Sequence, residues 1–306
     1  MAHRDRLAEY DIRILLLFRS GSNHEETFMK TVCAVTGATG YVGSRIAAAL
    51  AAEFDVIPMG RSAGIEGIRW QMNSSADTAA IAAELQTRGA TVLVHTAWDF
   101  GHPKAADNWQ SNVEGSRKLI EAAKAARAQQ IVFVSTISAF TGARSEYGKS
   151  KLAVEQIVLA AGGTVIRPGL VWGNRPGGMF GSLRQQVSKG GIVPTIGDGR
   201  YPQYLVHEDD LAAIIARAAK GEFTGRVLTI ANPKPWLLRD LILRMATEEG
   251  KTVKLVSVPW RAIYTALKTA ETLGLKLGFR SDSVISLVYQ DPAPQIASDL
   301  PVRPCN

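Results

Sequence analysis

An α/β fold built on a doubly wound parallel sheet is what this chain predicts, on three observations. A glycine-rich turn joins a short apolar run to a helical one near residue 36. Continuous apolar runs then alternate with helical patterns as far as Ile166, and past Pro168 the texture changes to glycine- and proline-rich loops with isolated helices. Runs that are apolar throughout suit strands covered on both faces, as in a parallel sheet. The change of texture marks a second, smaller lobe.

The first strand is Thr31-Val32-Cys33-Ala34-Val35. It leads into Thr36-Gly37-Ala38-Thr39-Gly40-Tyr41-Val42-Gly43, and a helical run follows over 41–52. Glycine lets the backbone approach a ligand closely, and a helix N-terminus offers N–H groups and a favourable dipole to phosphate oxygens. The spacing G-x-x-G-x-x-G sets the first two glycines one residue further apart than in G-x-G-x-x-G. With a second strand over 55–59 the segment closes a βαβ unit of about 30 residues, the form of a mononucleotide-binding half of a Rossmann-type fold. Gly37, Thr39, Gly40, Tyr41, Val42 and Gly43 are therefore candidates to cradle a dinucleotide.

Next come Ile68-Arg69-Trp70 with a helix over 78–85, a strand over 91–95 with a helix over 108–128, a strand over 131–135 with a helix over 147–159, and a sixth strand at 164–166. Beyond Pro168 lie loops at 173–181 and 190–202, a helix over 211–219, a strand at 227–230, and helices over 236–249 and 260–275. The apolar stripe of the last helix reads as lobe packing. The division expected is a dinucleotide-binding core over 29–173 and a small C-terminal substrate lobe, mainly 174–306, interleaved with the last sheet strands. Residues 1–28 mix charges without a period, directly ahead of Met29-Lys30. They read as an extension, non-native or disordered, the other reading being a short edge strand or amphipathic arm.

Of the 306 residues 46% are hydrophobic, enough for a large core, and the net charge is +7. No dense Lys/Arg run with interleaved aromatics accompanies that charge, so phosphate-bearing small molecules rather than nucleic acid are the expected partners. The apolar run 12–18 is too short to span a bilayer, and no membrane partner is expected. Cys33 and Cys305 alone give no disulfide framework and suit a reducing compartment, the cytoplasm.

Tyr147 and Lys151 stand four apart and share one helical face. A phenol with pKa near 10 is a poor acid or base at neutral pH, and a nearby ammonium draws it towards the working range. The pair follows the strand ending at Ser135-Thr136, and ligands bind at the carboxyl ends of parallel strands. Thr136 is the candidate third hydroxyl and Ser138 its alternative, though Ser and Thr also suit turns. Asn112 is a candidate to hold a water or a backbone carbonyl near the site, or else a plain polar helix residue. Trp98 and Trp172 flank the expected cleft, to stack on a ring or to pack. His95 and His207, with Glu208-Asp209-Asp210, lack coherent ligand spacing, so no metal is expected; Asp210 reads as the cap of the helix at Leu211. At the end of the second strand Met59-Gly60-Arg61-Ser62 carries no acid for ribose hydroxyls. Arg61 and Ser62 suit a 2′-phosphate, which favours NADP, with NAD the alternative.

In their order along the chain, Thr36 to Gly43, Asn112-Val113-x-Gly115, Val134-Ser135-Thr136, Tyr147-x-x-x-Lys151, Arg167-Pro168-Gly169-Leu170-Val171-Trp172-Gly173 and Leu205-Val206-His207-Glu208-Asp209-Asp210-Leu211-Ala212 match one known pattern. From about Lys30 to Ala231 the chain resembles the extended short-chain dehydrogenase/reductase family, the NAD(P)-dependent sugar epimerases and dehydratases. The resemblance implies redox chemistry at a carbinol or keto carbon of a nucleotide sugar. Tyr147 would be the general acid/base, Lys151 the group that holds the nicotinamide ribose and lowers the Tyr147 pKa, and Thr136 the group that orients the substrate oxygen. It also implies that Thr96, Ala97 and Trp98 contact the cofactor and that Pro168, Gly169, Leu170 and Val171 lie against the carboxamide; a homodimer is common in the family.

Two departures narrow this. Ile137-Ser138 stand where dehydratases of the family carry Asp-Glu, so elimination of water lacks its extra acid and base. Only ten residues separate Thr136 from Tyr147, as in divergent, atypical members. An epimerase or oxidoreductase is the expectation; an NADP-dependent ketone reductase and a non-catalytic NAD(P)-binding regulatory protein are the alternatives, and intact Tyr147 and Lys151 argue against the second.

Overall fold

Residues 30–61, 66–73, 75–101, 104–174, 177–275, 279–300 and 302–305 are described by the computed structural model; the extension over 1–28 and Ser62 lie outside them. From the N-terminal side the elements are β1 (Thr31–Thr36), α1 (Tyr41–Leu50), β2 (Phe54–Gly60), β3 (Ile68–Arg69), α2 (Thr78–Thr87), β4 (Ala90–His95), α3 (Ala105–Trp109), a π-helical turn (Gln110–Glu114), α4 (Gly115–Ala125), β5 (Gln130–Val134), α5 (Glu146–Ala160) and β6 (Thr164–Pro168). There follow β7 (Leu170–Trp172), α6 (Gly178–Ser188), β8 (Gly191–Ile196), β9 (Pro202–Gln203), β10 (Leu205–His207), α7 (Glu208–Ala219), β11 (Val227–Ile230), β12 (Trp236–Leu237), α8 (Leu238–Glu248), β13 (Val253–Val258), α9 (Trp260–Thr272) and α10 (Ser281–Val288).

The central sheet is parallel, with strand order β11-β6-β5-β4-β1-β2-β3. Cys33, Val35, Val92, Val94, Val132 and Val134 point to the face that α1 and α7 cover, where Ile46, Leu50, Leu211 and Ile215 are buried. Ala34, Leu93, Ile131 and Phe133 point to the other face, against Leu85 of α2, Leu119 and Ile120 of α4, and Val154 and Val158 of α5. Period-2 alternation with both faces apolar thus explains the continuous hydrophobic runs. The chain winds away from β1 in both directions, so the switch point lies between β1 and β4, and the carboxyl ends of those strands open towards a ligand.

A third cluster, Phe180, Val187, Val193, Leu205, Leu241, Ile242, Met245, Val284 and Leu287 among its members, is the core of the C-terminal part. Short pairs build it: β7 with β10 and β8 with β13, both parallel, and β9 with β12, antiparallel. Several of these strands stand where the sequence reads as loop, because Gly and Pro within 190–202 mask a pairing made with residues about 60 positions away.

Two expectations are corrected. The helix expected over 108–128 is interrupted by the π-helical turn at Gln110–Glu114. The helix expected to begin at Leu211 begins at Glu208, and its cap is His207, whose Nδ1 accepts from the Asp209 N–H at 3.2 Å. Asp210 is engaged elsewhere, accepting the Arg303 N–H at 2.7 Å and its guanidinium at 2.9 Å.

Candidate active site

At the carboxyl ends of the strands lies a cleft of about 820 Å³. One wall is the glycine turn. Gly37 has φ +70°, and a Cβ on it would stand 2.6 Å from Thr96 Oγ1 and 2.8 Å from Ala97 N; a Cβ on Gly43 would stand 2.1 Å from the Gly37 carbonyl oxygen. Only glycine allows this packing of turn, helix and neighbouring strand end. The Thr36 hydroxyl accepts from Thr96 N at 3.1 Å and Ala97 N at 3.2 Å, and Thr96 Oγ1 donates to Thr36 O at 2.5 Å, which laces the ends of β1 and β4 together. The cap of α1 is Gly40, with no side chain to satisfy the first N–H groups and no acid in the first turn. Those donors and the dipole face the cleft, the donor set that a diphosphate needs. The residues present therefore fit a dinucleotide.

Of the candidate residues, Gly37, Thr39, Gly40, Tyr41, Val42, Gly43, Arg61, Thr96, Ala97, Trp98, Thr136, Ser138, Tyr147, Lys151, Pro168, Gly169, Leu170 and Val171 all line this one cleft, with Arg61 exposed at its rim. Asn112 is set apart. It is fully buried within the π-helical turn; its amide accepts from Asp99 N and donates to Asp99 O, both at 2.8 Å, so it pins the loop after β4 rather than facing the cleft. Trp172 is not in the cleft wall either: it packs edge-on against His207, ring centroids 4.6 Å apart, on the C-terminal core.

Tyr147 is half-buried between Trp98, edge-on at 5.9 Å, and Phe100 at 5.7 Å. Burial pushes its phenol up to about 12, and the Thr136 side chain works against that rise. Thr136 accepts the Ser138 N–H at 3.2 Å, and of the two candidate hydroxyls it is the one that bears on the Tyr147 phenol. Lys151 lies beneath, 2% exposed, its Nζ donating to Val134 O at 2.8 Å and standing 4.0 Å from the Trp98 ring and 4.6 Å from the Phe133 ring. Burial brings its pKa down to about 7, with Glu155 pulling it back up. The ammonium is 6.0 Å from the Tyr147 ring centre. Helical spacing put both side chains on one face; the carbonyl at the end of β5 and the Trp98 ring then took the Lys151 head.

One turn further along α5, the buried Glu155 accepts from Arg167 at 2.9 and 2.5 Å and from the Ser135 hydroxyl. This ties α5 to the strand end that leads into Pro168-Gly169. Residues that sequence reasoning missed come chiefly from outside the core motifs: Phe100 over Tyr147, and from α10 Asp282, Ser283, Ser286 and Leu287 in the cleft wall. Their only signal was a Ser-Asp helix start ahead of an apolar run, which says nothing of where that helix docks. Among the described residues no group of His, Cys, Asp or Glu is placed to hold a metal ion, and no helix is long and apolar enough to cross a membrane.

Residues 33–231 match the NAD dependent epimerase/dehydratase family. The chain belongs to that family. Among curated relatives of this family member, a ceramide reductase of Caulobacter vibrioides is 25% identical over 78% of this chain and 77% of its own length. A 4-hydroxy-2-methyl-3-oxo-4-farnesyl-3,4-dihydroquinoline-1-oxide ketoreductase of Stigmatella aurantiaca is 23% identical over 78% and 79%. A 3 beta-hydroxysteroid dehydrogenase/Delta 5-->4-isomerase of Mycobacterium tuberculosis is 26% identical over 58% and 59%. Among solved structures, UDP-N-acetylglucosamine 4-epimerase of Bacillus cereus superposes with a TM-score of 0.63 at 18% identity, over 87% of this chain and 99% of that one. Such likeness shows a shared fold.

Proposed function

We propose that this chain is an NADP(H)-dependent oxidoreductase that interconverts a ketone and a secondary alcohol on a substrate with an apolar body, with Tyr147 as general acid/base. The observation that carries the reading is the Tyr147 phenol in the cleft wall beside the Thr136 side chain, with the Lys151 ammonium fixed on the Val134 carbonyl in the same wall. The glycine turn and the free end of α1 would hold the diphosphate, Lys151 the nicotinamide ribose, the 168–171 backbone the carboxamide, and Arg61 the 2′-phosphate. When bound, the nicotinamide supplies or takes up a hydride. In the reducing direction Tyr147 donates its phenolic proton to the substrate oxygen, and Thr136 orients that oxygen and stabilises the phenolate left behind. A phenol held up to about 12 is fully protonated at neutral pH but a weak acid, so it gives up its proton only as hydride transfer builds negative charge on the substrate oxygen.

The substrate end is walled by Trp98, Phe100, Ile137, Phe279, Leu287 and Pro294, which favours an apolar body. The curated relatives named as a reductase, a ketoreductase and a hydroxysteroid dehydrogenase point the same way. A nucleotide sugar, and with it epimerisation, is the second reading; Arg280 in the same wall offers a cation to a diphosphate.

The test is a fluorescence titration with NADPH and NADH, followed by a steroid ketone, a long-chain 3-ketone, an aromatic diketone and UDP-glucose. Expected are tighter NADPH binding and its oxidation by the apolar ketones. Tyr147→Phe should keep NADPH affinity within about twofold and lose about 10²- to 10⁴-fold in turnover. Interconversion of UDP-glucose with no net change of cofactor would replace this reading by an epimerase, and binding of neither nucleotide would replace it by a non-catalytic role.

A further inference from the structure

We infer that Asp282 is the positioning residue of Tyr147, so that α10 of the C-terminal lobe, as well as the core, sets where the phenol stands. The inference rests on Tyr147 being the acid/base. A helix leaves its first N–H groups without intrahelical partners. In α5 the Ser145 hydroxyl oxygen accepts from Gly148 N at 3.1 Å and the Ser145 carbonyl accepts from Lys149 N at 3.0 Å. The two remaining donors, Glu146 N and Tyr147 N, go to the two carboxylate oxygens of Asp282, 2.9 Å each. One side chain from 135 residues further along thus holds the backbone of Tyr147 itself. Bonds to an ionised acceptor are the strong ones, and a negative charge is favoured at this end of a helix.

The carboxylate stands on a braced segment. Its neighbour Ser281 donates both its N–H and its hydroxyl to the Glu271 carboxylate of α9, 2.7 Å each. The Arg144 guanidinium, just before α5, covers the Tyr289 ring at the end of α10, 4.2 Å from its centre. Four residues after Asp282, and so on the same side of α10, Ser286 lines the cleft with its hydroxyl buried and without a protein partner. A substrate seated against Ser286 therefore bears on the same helix that holds Tyr147, which couples filling of the cleft to alignment of the proton donor.

The test compares wild type, Tyr147→Phe, Asp282→Ala and Asp282→Asn, using NADPH and whichever ketone of the panel above reacts fastest. For Asp282→Ala, kcat should fall about 10²-fold, the cost of misplacing a reacting group by roughly 1 Å. The KM for the ketone and the NADPH dissociation constant should stay within about threefold. Asp282→Asn keeps one acceptor oxygen and should recover part of the loss. Amide exchange at Glu146 and Tyr147 in the NADPH complex, which needs no ketone, should speed up in both variants. Unchanged kcat or unchanged exchange in the folded variants overturns the inference, as does a parallel loss of kcat, ketone affinity and NADPH affinity, the mark of a merely structural role. If Asp282→Ala does not fold, Asp282→Asn decides. Wild-type turnover by Tyr147→Phe would instead remove the acid/base reading, and with it the inference.

Discussion

Lys151 shows how far a residue's role can be read from spacing. Its distance from Tyr147 was legible, since four residues fix a shared helical face; the destination of its ammonium was not, since the Val134 carbonyl and the Trp98 ring come from other segments. That burial has a consequence for stability. The folded-state pKa, about 7, lies below the unfolded value of 10.5. Between those values the unfolded chain binds the extra proton, so folding stability rises with pH and is lost as pH falls towards 7. Above the ordinary thiol value of 9.0 the buried Cys33, pushed up to about 12, acts in the opposite sense. The clean window is therefore pH 7 to 9. Urea unfolding without added nucleotide should show stability climbing there by a slope approaching about 1.4 kcal/mol per pH unit, one proton's worth. Lys151→Met should flatten it, and an unchanged slope in that variant would assign the effect to another group.

At the level of elements, the π-helical turn at Gln110–Glu114 was hidden because one extra residue in a turn leaves the apolar period of the flanking helices almost unchanged. Its purpose is visible in hydrogen bonds. The Ser116 hydroxyl donates to Asn112 O at 2.5 Å, so it can accept only from the Nε2–H of His95, 2.9 Å away. The other ring nitrogen, Nδ1, then accepts from the Thr36 hydroxyl at 2.7 Å, and Thr36 in turn accepts from the loop after β4. Burial and the nearby Lys151 bring the His95 pKa down to about 3, so this neutral tautomer is the form that joins the strand ends to the turn. His95 is thereby a structural buttress of the cofactor cradle, not a metal ligand. His95→Leu would leave two buried hydroxyls short of a partner, and the expected cost is about 2 to 4 kcal/mol by urea unfolding. His95→Gln, which can replace one of the two bonds, should cost less. A loss below about 0.5 kcal/mol for His95→Leu would show that water or rotation of the hydroxyls satisfies the network.

Across the whole molecule, the sheet as far as β6 was legible because each strand is fed by the segment just before it. The C-terminal part was not, because its order is set by contacts between distant segments: β8 with β13, Asp282 with α5, and the chain end with both cores. The chain end is the clearest case. Ala297 N donates to Thr229 O of β11 at 2.9 Å, and Leu300 is buried in the cluster under α1 and α7. Arg303 grips Asp210 of α7, and the Cys305 carbonyl accepts from Trp236 Nε1 at 3.2 Å beside the C-terminal core. Asp210 was expected to cap its own helix; it is recruited here because its partner lies 93 residues away, beyond the reach of any local pattern. The described residues of this tail, 295–300 and 302–305, thus fasten the sheet to the substrate side. Burial of Leu300 is worth about 1.5 to 3 kcal/mol, and the bonds to the partly exposed Asp210–Arg303 pair add about 1 kcal/mol after solvent screening. Deleting 295–306 should lower the urea midpoint by a stability loss of about 2.5 to 4 kcal/mol. Arg303→Ala alone should lose about 1 kcal/mol. NADPH affinity should be retained in Arg303→Ala, since Arg303 does not line the cleft. An unchanged midpoint after the deletion would mean that the tail rides on the fold without fastening it.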